Sequence, residues 1–139
     1  TATKKYRLIQ PNPPPARGMR DVILHPGKDG SAPLLADIWE PGEGAPRSGL
    51  AVIYLHGGAW QALDKDFLTQ PLFRRLVNQG HVILDVAYPL APQANLDLML
   101  TGVGKVIGWM KEHAREYRVN PERIVLMGVS GGAHLALME

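Results

Sequence analysis

The sequence predicts an α/β fold, a mostly parallel sheet with helices on both faces. Three observations lead there. A continuous apolar run of strand length stands at Leu50 to Leu55, the pattern of a strand buried on both sides, and largely apolar strands are read at His81 to Val86 and Arg123 to Met127. Segments with apolar residues at three-to-four spacing lie between them, over Asp66 to Gln79 and over 95–117. Strands alternating with helices imply parallel pairing and a helix layer on each face. Glycine-rich turns follow the first and third runs, at His56 to Trp60 and Gly128 to Gly132, on the carboxyl edge where ligands bind in such sheets.

The elements follow in order. Residues 1–20 contain Pro11, Pro13, Pro14 and Pro15 and read as an extended surface arm. Residues 21–139 read as the domain. Asp21 to His25 and Leu34 to Trp39 are short strands around a turn at Lys28 to Gly30, an antiparallel hairpin. Glu40 to Gly49 is a Pro- and Gly-rich loop. In the 66–79 helix Phe67, Leu68, Leu72, Phe73, Leu76 and Val77 form the apolar face, and Gly80 is its stop. In the 95–117 helix Leu96, Met99, Leu100, Val103, Val106, Ile107 and Met110 share one side. Gly102, Gly104 and Gly108 weaken it by about 1 kcal/mol each. Val119 to Glu122 is a turn before the last strand, and a helix opens after Ser130.

The 139 residues are long enough for one domain with a core, and 45% hydrophobic with 20% charged residues fits a soluble globular protein. A net charge of +2 with scattered basic residues argues for a solvated surface and against a nucleic-acid partner. The absence of cysteine excludes disulfides and thiolate chemistry. No apolar run approaches the roughly 18–20 residues of a membrane span. No His, Asp and Glu grouping has metal-ligand spacing, so neither a metal nor another cofactor is expected. The chain opens on Thr1 rather than Met. That implies a trimmed or processed start and leaves cytoplasmic and secreted locations both open.

The chemistry concentrates at the two turns. Ser130, between a buried strand and a helix, is placed to project a nucleophilic hydroxyl from the sheet edge. Gly128 and Gly132 flank it where side chains would collide with neighbouring backbone. A tetrahedral oxyanion needs preset N–H donors, each typically worth about 3–4 kcal/mol. Gly131 supplies one candidate; Gly57, Gly58 and Ala59 supply others. His56 reads as a support for its loop rather than the base. Trp60 is equally compatible with packing beside a pocket. His134 reads as a packed or surface histidine, Asp85 as a loop anchor and Tyr88 as structural. A phosphate-binding turn at Gly128 to Ala133 is the competing class. A dinucleotide fingerprint wants an acidic residue about 20 positions further on, and that reading leaves His56 to Gly58 unexplained.

His56-Gly57-Gly58-Ala59-Trp60, Tyr88-Pro89-Leu90-Ala91-Pro92 and Gly128-Val129-Ser130-Gly131-Gly132, in that order, resemble the α/β-hydrolase superfamily. The resemblance is closest to the esterases and lipases related to hormone-sensitive lipase and to the kynurenine formamidase-like carboxylesterases. It covers roughly residues 20–139. It implies Ser130 as nucleophile, Gly58, Ala59 and Gly131 as oxyanion donors, and a small ester as substrate. Relatives often place alanine directly after the serine; here Gly131 stands there and Ala133 comes two positions later. Relatives also commonly carry an acidic residue at the position of Gly102. The family's acid and histidine follow the nucleophile by many residues, beyond Glu139. The expectation is therefore the N-terminal part of a serine carboxylesterase or lipase domain, truncated after the elbow, with the acid and base of its triad missing from the chain. A peptidase or amidase of the same fold, or an inactive fragment with a binding role, are the alternatives. The last strand would lie on an open edge, available for self-association or for a missing C-terminal half.

Overall fold

The computed structural model describes residues 16–26, 33–56, 70–87 and 96–138. The expected Pro-rich arm up to residue 15, the turn at Lys28 to Gly30, the first part of the 66–79 helix and the Tyr88 to Pro92 loop lie outside them. Five strands and three helices follow one another: β1 (Ala16–His25), β2 (Leu34–Pro41), β3 (Ala51–Leu55), α1 (Gln70–Asn78), β4 (Val82–Ala87), α2 (Leu96–Glu112), β5 (Ile124–Gly128) and α3 (Gly131–Met138). The sheet order is β1-β2-β4-β3-β5. β1/β2 and β2/β4 pair antiparallel, while β3 pairs parallel with both β4 and β5. The hairpin and the three strand–helix units are thus present in one mixed sheet.

Period-two alternation divides the core between the two faces. Ala36, Ile38, Ile53, Leu55, Leu84 and Val86 pack on one side with Met99, Val103, Val106 and Met110 of α2 and with Leu135 of α3. Val52, Tyr54 and Ile83 pack on the other with Phe73 and Val77 of α1. Phe73 meets the Tyr54 ring edge-on at 5.2 Å and lies 5.9 Å from Trp39. From β3 the chain passes over α1 to β4, then returns over α2 to β5 on the opposite side of β3. The strand order therefore reverses at β3 and β5, a topological switch point of the kind that opens a ligand crevice at the carboxyl ends.

Two boundaries differ from the sequence expectation by more than two residues. β1 begins at Ala16, before the expected Asp21, and its register shifts between Met19 and Val22 and again between Ile23 and His25. An edge strand with such irregularities tolerates residues that do not alternate. α2 ends at Glu112, and the chain continues in irregular turns to Arg118. Arg118 sits at φ 55°, and the Val119 N–H reaches back to the Ala114 carbonyl at 2.8 Å, a left-handed cap closing the coil without glycine. The three α2 glycines do not break the helix, because its buried face supplies the stability that propensity lacks.

Arg47 fastens the loop after β2. Its guanidinium donates to the Tyr117 carbonyl at 3.0 Å, to Glu40 Oε2 at 3.2 Å and to the Pro41 carbonyl at 3.3 Å. Burial lifts the hydroxyls of Tyr54 and Tyr117 above the ordinary tyrosine range. The Asp85 carboxylate adds to the effect at Tyr54, and Glu116 and Glu40 add to it at Tyr117. The fold thus accommodates the neutral phenols. Their contribution is complete below the unfolded value near 10 and is lost as pH rises through the raised folded values. The urea midpoint is accordingly expected to fall above about pH 10, and a Tyr54→Phe, Tyr117→Phe double variant is expected to flatten that fall.

Candidate active site

β3 and β5 run side by side to the same edge, with Leu55 opposite Gly128. Beyond that register the two chains stay in contact, since the Val129 N–H donates to the Leu55 carbonyl at 3.3 Å. Ser130 follows at φ 53°, in the left-handed region, and is exposed. A non-glycine residue there is strained. Immediately afterwards the chain enters α3: the Gly132 N–H donates to the Val129 carbonyl at 3.0 Å and the His134 N–H to the Ser130 carbonyl at 3.1 Å. The serine therefore sits at a strand-to-helix corner, with the free N–H groups and positive dipole end of α3 beside it.

The two flanking glycines have a steric cause. A Cβ on Gly132 would run into the Leu55 carbonyl and lie 2.6 Å from the His56 carbonyl oxygen, and a Cβ on Gly128 would strike the Gly132 backbone. Strand end, corner and helix start are therefore in backbone contact, and only hydrogen fits between them. Neither glycine has positive φ, so close approach, rather than left-handed backbone, fixes both.

The structure brings Ser130, Gly131 and His56 to one edge. Gly131 is the first residue of α3. His56 directly follows β3 and is 3% exposed. His134 is exposed on α3. Gly58, Ala59 and Trp60 lie outside the described residues. No group of three metal-ligating side chains occurs among the described residues, and none of their helices is long and apolar enough to cross a membrane.

One feature escaped the sequence reading. Asp37, Asp85, Tyr54 and Met127 form a single row across β2, β4, β3 and β5. Asp37 is 3%, Asp85 0% and Tyr54 5% exposed. This polar row lies on the α1 face, just above the apolar layer of Trp39, Ile83 and Val52. Asp85 was visible as an acidic residue near a strand end, but its pairing with Asp37 depends on the hairpin register and on β4 inserting beside β2.

The profile of the BD-FAE family matches residues 36–139. Esterase LipQ of Mycobacterium tuberculosis is 32% identical over 105 residues, 75% of this chain and 25% of the relative. Kynurenine formamidase of Danio rerio is 38% identical over 106 residues, 73% of this chain and 33% of the relative. Among solved structures, Thermogutta terrifontis esterase 2 phosphoramylated by tabun aligns with a TM-score of 0.71 at 25% identity, over 91% of this chain and 47% of that one. The chain thus spans a quarter to a third of the length of the two curated relatives described.

Proposed function

Because the chain belongs to the BD-FAE family, within the α/β-hydrolase esterases and lipases, we propose that it carries the nucleophile half of a serine carboxylesterase site. The observation that carries this reading is Ser130 at φ 53°, on a corner whose flanking glycines admit no side chain. Ser130 Oγ attacks the ester carbonyl carbon and gives its proton to a general base. The tetrahedral oxyanion is met by N–H groups of Gly131, Gly58 and Ala59, and His56 supports the strand end beside them. Collapse expels the alcohol, which takes the proton, and leaves an acyl-serine. Water, deprotonated by the same base, then releases the acid and restores Ser130. In this reading the base and its acid come from polypeptide outside these 139 residues.

Hydrolysis of p-nitrophenyl acetate and butyrate by the protein carrying this sequence tests the proposal. Turnover that persists in Ser130→Ala would sink it. Two of the relatives are kynurenine formamidases, which favours an amide-cleaving reading as the second choice. Formanilide hydrolysis exceeding ester hydrolysis would select it.

The same reading assigns the outer edge of β5 to a further strand, from additional polypeptide or from a second copy. β5 carries no charged residue, and Val125 on it is 41% exposed, with Val129, Leu137 and Met138 exposed beside it. Uncharged edges invite pairing. The 139-residue chain is expected to self-associate in sedimentation velocity, and Val125→Lys to suppress this. A wild-type chain that stays monomeric at high concentration would speak against it.

A further inference from the structure

Asp85 is fully buried inside a sheet whose interior is mostly aliphatic. Aspartate is depleted in strands, and a buried carboxylate costs several kcal/mol unless it is compensated. The groups around it narrow what it does. Directly opposite on β2 lies Asp37, a second acid that cannot offset its charge. Directly opposite on β3 lies Tyr54, a neutral hydroxyl whose ionisation Asp85 opposes. Arg74 and Arg75 of α1 are exposed. Strand alternation places His56 on the same face as Tyr54, one step nearer the carboxyl edge. That makes it the diagonal neighbour of Asp85, within reach of a long side chain. His56 is 3% exposed. Among the described side chains at this level of the face, its ring alone can both donate to a carboxylate and carry positive charge.

His56 also touches the catalytic corner through its backbone, because its carbonyl oxygen is one of the atoms that exclude a side chain from Gly132. We propose that Asp85 is a positioning residue: its carboxylate holds the His56 imidazole, and through His56 the strand end against which Gly132 and Ser130 are seated. This builds on the hydrolase reading but concerns a residue that does not touch substrate. Asp85 fixes the ring tautomer, and the fixed ring keeps the end of β3 in one place under the elbow.

The test has two arms. In ¹⁵N-labelled protein, with His56→Gln for assignment, His56 is expected to show a ring N–H resonance protected from solvent exchange. Asp85→Asn should abolish it and Asp37→Asn should leave it. In the second arm, Asp85→Asn is expected to slow phosphonylation of Ser130 by a fluorophosphonate about 10–100-fold, the usual effect of losing a group that orients a site residue, while thermal unfolding stays cooperative. An unprotected His56 ring in the wild type, or a protected one in Asp85→Asn, overturns the inference; the wild-type spectrum decides this even if the variant does not fold. A wild type that takes no phosphonate refutes the hydrolase reading, and the resonance alone then decides the role of Asp85.

Discussion

Gly132→Ala is expected to destabilise the fold by about 4 kcal/mol or more, among the largest effects a single methyl group can have. The added Cβ has nowhere to go. It meets the carbonyl of Leu55 and lies 2.6 Å from that of His56, and both belong to β3 and its continuation. A flexible side chain could swing aside; main chain hydrogen-bonded on both flanks, to β4 and β5, cannot. Relief requires α3 to lift from the sheet, which would pull Leu135 out of the main core. Urea denaturation measures the loss. A cost below about 1 kcal/mol, the ordinary scale of a surface substitution, would mean that the strand end and α3 are not pressed together as described. Gly108→Ala is the matched control, since a Cβ there meets nothing within 4 Å. It should stabilise α2 by a few tenths to about 1 kcal/mol.

The second large effect falls on reactivity. Ser130→Ala removes the hydroxyl but keeps the left-handed backbone, whereas Ser130→Gly removes the hydroxyl and relieves the strain. Ester turnover by the complete catalyst should fall about 10⁶-fold in both, the scale seen when a serine nucleophile is deleted. Stability should separate them: Ser130→Gly is expected to gain about 1 kcal/mol relative to Ser130→Ala. The pairing of lost activity with gained stability is what a strained functional residue predicts. Equal stabilities would show that φ 53° at Ser130 costs nothing and has no mechanical part in presenting Oγ.

Much of this architecture was legible because strands inside a sheet are written as short, largely apolar runs. β3, β4 and β5 were each found within a residue of their observed ends. Ser130 was legible for a related reason, since small residues are forced where backbones touch, and Gly128 and Gly132 record that contact. The start of β1 was not, because Arg17, Gly18 and Arg20 do not alternate, and an edge strand does not need them to. Nor was the insertion of β4 between β2 and β3. Without that order Asp37 and Asp85 are two unrelated acids far apart in the sequence; with it they are cross-strand neighbours beneath the site. Tyr54 read only as one more apolar residue in a strand, and its place beside Asp85 came from β3–β4 register.

The central claim is that Ser130 is the nucleophile, and an active-site-directed fluorophosphonate tests it most directly. After incubation of the protein carrying this sequence, proteolysis and mass spectrometry of the peptides, the account predicts a single phosphonyl adduct on Ser130, absent from Ser130→Ala. An adduct on another serine, or labelling unchanged in Ser130→Ala, would contradict it.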